Sequence, residues 1–341
     1  MRSRISIVMA AAAALALGAC SAEKPAETPA AEASALPDTV LCSTSEEVLD
    51  LKTWQKAEPT VADAPVAGGA ATVSGGSGQC PIIKYNQEQA PAELTVDVIA
   101  KGEGPEVKEG DWVTADYYGQ VWNGDVFDTS FDRSGPSRFE LVSGAGRGVI
   151  QGWVTGLAGT HVGDRVVVSI PAELGYGESS PSEKIPPNST LVFVVDIVQS
   201  QNPDELLSAS KGATESGNTD DLPVHVDGEL GGEPALRFDE GAQAPAEPLL
   251  RVLADGTGAE VGEADTAVLS IVQASYDGTE LHNSWKLRDL SATVPLAQNH
   301  LLKDLVGKKV GTRFLLLQPD DGVNGPSAAV AEIAAIVTTS R

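Results

Sequence analysis

Alternation of apolar side chains within residues 111–199 constrains the fold of this chain more than any other feature. Successive side chains of a strand point to opposite faces, so a period of two predicts a strand with one buried face. Residues 113–117, 166–170 and 191–197 each show this period. We therefore predict that the three segments are strands of one sheet.

A short helix is predicted between the first and second of these strands. Ile150, Trp153, Val154 and Leu157 have the spacing of one apolar helix face. Asn123-Gly124 predicts a hairpin turn, because both residues tolerate positive φ. An antiparallel sheet wrapped on one short helix accommodates this order of elements, which gives an α+β fold.

Five short motifs in the same stretch carry a resemblance to a known family. They are Tyr117-Tyr118-Gly119, Val126-Phe127-Asp128-Thr129-Ser130, Val149-Ile150-Gln151-Gly152-Trp153, Gly175-Tyr176-Gly177 and Ile185-Pro186-Pro187-Asn188-Ser189-Thr190-Leu191-Val192-Phe193. In this order and at this spacing, they resemble the FKBP-type peptidyl-prolyl cis–trans isomerases. The resemblance implies an enzyme that accelerates rotation about X–Pro bonds and needs neither a cofactor nor a metal.

The resemblance also assigns roles to ten residues. The implied catalytic residues are Tyr117, Phe127, Asp128, Trp153 and Tyr176. The implied substrate-binding residues are Arg133, Val149, Ile150, Ile185 and Phe193. Trp153 would lie beneath the proline ring, while the Ile150 N–H and the Tyr176 hydroxyl would donate hydrogen bonds to the substrate. Asp128 would accept a hydrogen bond from Tyr117 and pair with Arg133. The sequence leaves open whether Phe193 is a pocket wall or ordinary core.

Two departures from the family pattern bear on specificity. Ser137 stands where the family often has another pocket aromatic, which puts the depth of one wall and the affinity for macrolide inhibitors in question. Pro181 and Lys184 replace more usual residues in the flap, the segment after Gly177, which bears on substrate preference.

The second half of the chain repeats the first. Ala90-Pro91-Ala92-Glu93 recurs as Ala244-Pro245-Ala246-Glu247. The proposed pocket does not recur. Its residues Tyr117, Phe127, Asp128 and Trp153 align with Ile271, Leu281, His282 and Leu301. The segment after Pro319 is also too short for the Gly-Tyr-Gly turn and the flap. These differences predict a degenerate, non-catalytic FKBP-like domain.

Composition divides the chain further. The predicted parts are a signal peptide at 1–19, a tether at 20–37, an accessory region at 38–89, an isomerase domain at 90–200, a polar linker at 201–221 and the degenerate domain at 222–341. Within the accessory region we expect a short helix at 46–54 and a Gly/Ser/Ala-rich connector at 68–78.

The N-terminus predicts export. Arg2 and Arg4 precede an apolar run at 5–17, which suits a signal peptide and is short of the ~20 residues that span a bilayer. Leu17-Gly18-Ala19-Cys20 resembles the bacterial lipobox, which implies lipid attachment to Cys20 and cleavage before it. The alternative is an ordinary secretory signal with an incidental cysteine. Lipidation would anchor the protein to the extracytoplasmic side of the cell membrane.

Charge and cysteine content restrict the partners. The formal net charge of −25 argues against nucleic acid and against charge-driven binding to anionic headgroups. Export permits a disulfide between Cys42 and Cys80, and two free buried thiols are the alternative. The four histidines are scattered, so surface or packing roles are favoured over a metal site.

Two functions are consistent with these residues. The first is a membrane-anchored peptidyl-prolyl isomerase that acts on proline-containing exported polypeptides. The second is a tethered chaperone or protein-binding module that holds clients without much turnover.

The lipobox generates the first testable prediction. Cys20→Ala removes the thiol to which the lipid would be attached, so the variant should leave the membrane fraction and appear soluble or unprocessed. Fractionation of cells that express each form, followed by immunoblotting, measures this. A wild-type protein that is already freely soluble after export would contradict the anchor.

Overall fold

The computed structural model describes residues 63–133, 135–144, 148–323 and 325–337. Cys20, Cys42, the predicted signal peptide and tether, and the candidate helix at 46–54 lie outside the described residues. Cys80 is disulfide-bonded, and its pairing with Cys42 stays a prediction. Among the described residues, no helix combines the length and the hydropathy needed to cross a bilayer.

A small antiparallel sheet begins the described chain. Its three strands are β1 (Ala64–Val66), β2 (Ala71–Ser74) and β3 (Ile82–Tyr85), in the order β1–β2–β3. The prediction of a connector at 68–78 is therefore wrong, because that segment contains a strand. Ala71 and Val73 explain the difference, since both are buried against the next sheet despite the polar and glycine-rich sequence around them.

The next six strands form a larger antiparallel sheet, here called the first sheet. They are β4 (Thr95–Ala100), β5 (Trp112–Val121), β6 (Val126–Thr129), β7 (Ser137–Glu140), β8 (Arg165–Ile170) and β9 (Leu191–Gln201). The order is β4–β8–β9–β5–β6, and β7 pairs with the beginning of β5. Helix α1 (Gln151–Leu157) lies between β7 and β8 in the chain.

The predicted alternation and the predicted helix are confirmed. Leu191, Phe193, Val195 and Ile197 of β9 face the core that α1 covers, and we call this side the helix face. Val192 and Val194 face β1–β3 on the other side, the outer face. Trp153, Val154 and Leu157 are the large buried side chains of α1. At the predicted hairpin, Asn123 has φ of 53°, whereas Gly124 does not use positive φ.

A second sheet repeats this arrangement. The remaining strands are β10 (Thr214–Glu215), β11 (Val224–Asp227), β12 (Ala235–Phe238), β13 (Leu249–Asp255), β14 (Thr266–Ser275), β15 (Glu280–Asn283), β16 (Thr293–Pro295), β17 (Arg313–Gln318) and β18 (Ser327–Val337). The order in the second sheet is β10–β13–β17–β18–β14–β15, and β16 pairs with β14. Strands β11 and β12 form a separate hairpin. The order β13–β17–β18–β14–β15 is that of β4–β8–β9–β5–β6.

A hydrogen bond inside each sheet shows how closely the repeat is maintained. The Tyr117 N–H of β5 donates to Ser130 Oγ at 2.9 Å, and the Ile271 N–H of β14 donates to Ser284 Oγ at 3.1 Å. Ser284 begins helix α3 (Ser284–Leu287). The alignment predicted from sequence is therefore matched residue for residue at this point.

A buried ion pair attaches the small sheet to the outer face of the first sheet. Arg165 donates from Nη1 to both carboxylate oxygens of Asp196, at 2.9 and 2.7 Å, and the side chains are 1% and 9% exposed. Arg165 Nη2 also donates to the Gln79 carbonyl at 2.9 Å, and the Gly78 N–H donates to Asp196 at 2.7 Å. The turn between β2 and β3 is thus held by both charged groups.

The second sheet holds its own hairpin in the same way. Arg313 pairs with Glu332 at 2.6 Å, and the side chains are 3% and 0% exposed. The guanidinium also donates to the carbonyls of Gly228, Glu229 and Gly232, in the loop that joins β11 and β12. Each half therefore uses one buried arginine to fix an accessory hairpin on its sheet.

The segment at 201–221 differs from the predicted polar linker. It contains helix α2 (Pro203–Leu207), which Asn202 caps by accepting from the Asp204 N–H at 2.8 Å. Leu206 and Leu207 of α2 are buried in one cluster with Trp112 of β5 and residues of β14 and β18. Two apolar residues give no periodic signal in the sequence, so only the presence of both sheets explains why this helix packs.

The buried ion pair predicts a stability difference between two arginines. Arg165→Met leaves the Asp196 carboxylate buried without its counter-charge, so we expect the free energy of unfolding to fall by about 3–5 kcal/mol. Arg237→Met is the matched control, because Arg237 and Asp227 form an exposed pair whose loss should cost below about 1 kcal/mol. Denaturant unfolding of both variants measures the difference. Equal losses of unfolding free energy would contradict the stabilising role of the Arg165–Asp196 pair.

Candidate active site

Trp153 is the centre of an aromatic cluster on the helix face. The first turn of α1 carries it, and its ring makes edge-on contacts with three others. Ring centroids lie 5.5 Å away for Tyr117, 4.9 Å for Phe139 and 5.0 Å for Phe193. Edge-to-face pairs at this separation are favourable, so the indole is held by contacts on several sides.

Phe127 extends the cluster from β6. Its ring centroid lies 5.4 Å from that of Phe193, at an interplanar angle of 81°. Gly119 of β5 makes this approach possible, since a Cβ there would lie 2.8 Å from an atom of each ring. Phe193, Trp153 and Tyr117 are 4%, 5% and 8% exposed and belong to the core, whereas Phe127 and Phe139 are half-buried beside them.

A polar network fixes one wall of the cluster. The Tyr117 hydroxyl donates to Asp128 Oδ2, and Arg133 Nη2 donates to Asp128 Oδ1. Arg133 Nη1 also donates to the Tyr117 hydroxyl at 3.2 Å and to Ser137 Oγ at 3.4 Å. The predicted contacts of Asp128 with Tyr117 and Arg133 are therefore present. Burial, followed by the hydrogen bond to Asp128, raises the pKa of Tyr117 to about 12.

Two hydrogen-bond donors near the aromatic cluster have no acceptor in the described part of the chain. The Ile150 N–H precedes α1 and has no such acceptor. The Tyr176 hydroxyl also lacks one, and the residue is 38% exposed. Tyr176 is positioned by the turn at 172–177, which the Gly177 N–H closes onto the Ala172 carbonyl at 2.8 Å. Burial, with the Asp128 charge adding, raises the pKa of Tyr176.

The remaining predicted residues complete the lining. Ile185 is 5% exposed and lies in the core cluster with Trp153, and Val149 and Ile150 pack against that cluster. The flap positions Ile185, because Ser180 Oγ donates to the Ile185 carbonyl at 2.8 Å. The structure thus brings the ten predicted residues to one region of the first sheet.

Comparison with known proteins identifies the family. The family described as FKBP-type peptidyl-prolyl cis-trans isomerase matches residues 104–198, which include all ten predicted residues. The FK506-binding protein of Streptomyces anulatus is 39% identical over 120 residues, which are 35% of this chain and 94% of that protein. The chain therefore belongs to the FKBP-type peptidyl-prolyl cis–trans isomerases.

Two other relatives match the same type of isomerase domain. FK506-binding protein 1 of Debaryomyces hansenii is 42% identical over 110 residues, which are 32% of this chain and 96% of that protein. The FKBP-type 22 kDa peptidyl-prolyl cis-trans isomerase of Escherichia coli is 38% identical over 125 residues, which are 34% of this chain and 58% of that protein. In each case the similarity covers about a third of this isomerase.

One aromatic residue of the isomerase cluster was missed by the sequence analysis. Phe139 packs edge-on against Trp153 with an interplanar angle of 74°. Strand β7 places it two residues after Ser137, so both side chains face the same side. This alternation was the signal that could have identified Phe139, once Ser137 was recognised as a pocket position.

The second sheet does not reproduce the aromatic cluster. Ile271 stands at the position of Tyr117, and the buried His282 stands at that of Asp128. Gln273 stands at the position of Gly119. The second sheet therefore has a side chain at the point where the first sheet, with glycine, lets Phe127 and Phe193 approach each other. The loop between β17 and β18 is also much shorter than the segment between β8 and β9 that carries Tyr176 and the flap.

The raised pKa of Tyr117 predicts a loss of stability at high pH. An ordinary tyrosine in the unfolded chain ionises near pH 10, and the folded state holds this proton to about pH 12. The stabilisation is therefore complete below pH 10 and is lost as the pH rises from 10 to 12, by an amount on the order of 2 kcal/mol.

Tyr117→Phe should make the unfolding free energy fall less steeply in this range. Denaturant unfolding at several pH values measures the slope for wild type and variant. Tyr176→Phe is the control, since its more exposed phenol should change the slope less. Identical slopes for wild type and Tyr117→Phe would contradict the assignment of the shift.

Proposed function

We propose that the aromatic cluster around Trp153 is the site at which this isomerase binds and rotates an X–Pro bond. The observation that carries the proposal is an aromatic cluster with two neighbouring donors, the Ile150 N–H and the Tyr176 hydroxyl, that have no acceptor among the described residues. An ordinary core residue with a polar tip normally has a partner for that tip. Tyr176 is instead 38% exposed, and it lies close enough to Asp128 for that charge to raise the pKa of its hydroxyl.

The chemistry needs no covalent step. The barrier to rotation is about 18–20 kcal/mol, because resonance gives the C–N bond double-bond character. In the transition state the amide is twisted and its carbonyl is no longer conjugated with nitrogen. An apolar site favours this form by excluding the water that stabilises the planar amide.

Each side chain has a role in this proposal. Trp153 lies beneath the proline ring, and Tyr117, Phe127 and Phe139 form its walls. The Ile150 N–H and the Tyr176 hydroxyl donate hydrogen bonds to substrate carbonyls. Asp128 and Arg133 do not rotate the bond, but they hold the Tyr117 wall through the network described above.

The same pocket suits macrolide inhibitors. Two relatives are named for binding FK506, which supports macrolide binding at the matching domain of this chain. Ser137 is a small hydroxyl residue that contacts Arg133 at 3.4 Å. We expect this side of the pocket to offer less apolar area to an inhibitor than an aromatic residue would.

The proposed cellular role is the folding of exported proteins by an isomerase tethered to the membrane. The support is the signal-like run at 5–17 and the lipobox-like sequence that ends at Cys20. The clients would be proline-containing polypeptides on the extracytoplasmic side. Slow X–Pro isomerisation, which takes tens of seconds or more, limits the folding of many such chains.

A second candidate function is a tethered chaperone that holds clients without much turnover. The observation that favours it is the second sheet, which keeps the strand order of the first but lacks its aromatic cluster. A degenerate domain of this kind adds surface without adding a second active site.

Substitution of Trp153 distinguishes the two candidates. Trp153→Leu copies what the second half has at Leu301 and removes the flat surface beneath the proline ring while keeping an apolar residue. We expect kcat/KM for a proline peptide to fall about tenfold or more in the full-length protein, equivalent to about 1.4 kcal/mol of transition-state contact. Asp128→His should have a smaller effect, because it loosens a wall without touching the substrate.

Leu301→Ala is the matched control, and it should leave the isomerase activity unchanged. Circular dichroism and thermal unfolding confirm that each variant is folded. A folded Trp153→Leu variant with full activity would show that the cluster is only a core. Unimpaired holding of an unfolded client by the inactive variant would favour the chaperone.

A further inference from the structure

Strand β7 carries part of the pocket but has little support within its own sheet. It has four residues and pairs only with β5, from Ser137 opposite Ala115 to Glu140 opposite Trp112. Ser137 and Phe139 point to the pocket, where they contact Arg133 and Trp153. The position of β7 therefore sets both the aromatic wall and the polar network.

Arg138 and Glu140 are the residues of β7 that point the other way, and Arg138 makes the contacts with the second half. Its guanidinium lies 5.1 Å from the centre of the Trp112 ring and donates to Gln201 Oε1 at 2.9 Å. It also donates to Thr114 Oγ1 at 3.5 Å and, from Nε, to the Leu290 carbonyl at 3.4 Å. Leu290 belongs to the second half, so this one side chain joins β7, β5, the end of β9 and the second sheet.

Packing alone does not account for an arginine here. Arg138 makes no ion pair with a carboxylate within the described residues, and its Nη2 is buried without a partner. Burial lowers the pKa of Arg138 to about 10. A methionine would fill similar space without the cost of burying a charge. What a guanidinium adds is a rigid fork of donors that can reach several elements at once.

The contact lies in a larger interface between the halves. Trp112 and Leu290 are buried in one cluster with residues of α2, β14 and β18. Gln199 of β9 donates to the Ile336 carbonyl of β18 at 3.2 Å, close to the same place. The second half thus provides a fixed surface directly behind the pocket wall.

The repeat places a different residue at the equivalent point. Arg138 lies opposite Thr114 in the β5–β7 pair, and Thr293 lies opposite Val268 in the β14–β16 pair. The half without an aromatic cluster therefore has a threonine at the register position where the first half has an arginine. The arginine thus occurs on β7, the strand that carries Phe139 of the aromatic cluster.

We propose that Arg138 is a positioning residue of the isomerase, through which the second half holds strand β7 in place behind the pocket. The second half contributes to substrate binding without touching substrate, because it supplies the surface against which β7 is fixed. This inference rests on the proposed function, that is, on the Trp153 cluster being the isomerase site.

Kinetics of full-length variants test the proposal. Arg138→Met keeps the packing volume and removes the donors, so Phe139 and the Arg133 network lose their fixed position. The proline ring is then bound less tightly in the ground state and in the transition state alike. We therefore expect KM to rise roughly three- to tenfold while kcat changes less than about twofold. Arg138→Lys retains the cation over Trp112 and should restore part of the loss. Arg237→Met, at an exposed pair, is the control and should not change KM.

A double-mutant cycle tests whether the second half is involved. Leu290→Ala opens a cavity at the acceptor side of the interface, and it should raise KM in the wild-type background. The same change should have a smaller effect in the Arg138→Met background, because the connection is already lost. Additive effects of the two changes on KM would overturn the proposal.

The outcomes separate this proposal from the function on which it depends. A Trp153→Leu variant with full activity means that the pocket itself is wrongly placed. Loss of activity in Trp153→Leu, together with an Arg138→Met variant whose KM equals that of Arg237→Met, overturns only the positioning role. A fall in the thermal midpoint of Arg138→Met with unchanged KM also overturns it, since a purely structural arginine would behave in this way.

Discussion

The close approach of α1 to β8 is the constraint on which the aromatic cluster depends. A Cβ at Gly152 would lie 2.3 Å from Ile170 Cγ2, and a Cβ at Gly156 would lie 2.7 Å from Val168 Cγ1. Any larger residue would therefore push the helix away from the sheet. With glycine at both positions, α1 lies close enough to the sheet for Trp153 to contact aromatic residues from three strands.

The second half lacks this constraint and does not have the aromatic cluster. His300 and Asp304 stand at the positions of Gly152 and Gly156. The segment forms a short 3-10 turn at Lys303–Leu305 where the first half has α1. Leu302 and Leu305 still fill the core, so a packed sheet survives without a helix close to it. The close helix is therefore needed for the pocket and not for the sheet.

Much of the first half could be predicted because its signals are local. Alternation in β5, β8 and β9 and the spacing from Ile150 to Leu157 depend only on neighbouring residues. The contacts of Asp128 with Tyr117 and Arg133 were implied by the motifs of the family. Phe139 was missed because its only signal, the alternation with Ser137 two residues earlier, was not extended to it.

The parts that could not be predicted depend on contacts that are distant in the sequence. Leu206 and Leu207 are two apolar residues in a polar segment, and their burial requires β5 and β18 on either side. Ala71 and Val73 form a strand because the outer face of the first sheet is apolar and must be covered. Such segments carry weak patterns, since one or two side chains are enough once a partner surface exists.

Differences between the two halves are concentrated on the helix face. On the outer face, Arg165 and Arg313 keep the same buried pairing and hold equivalent hairpins. Removing either partner there would leave an unpaired buried charge, which would strongly destabilise that half. On the helix face, Tyr117 and Trp153 give way in the sequence to Ile271 and Leu301. Ile271 is buried in the core of the second half, which Leu302 and Leu305 also fill. Exchange of one apolar side chain for another on the helix face therefore costs less stability than removal of one charged partner on the outer face. Because that outer face also meets the other half, the second sheet can support the first without an aromatic cluster of its own.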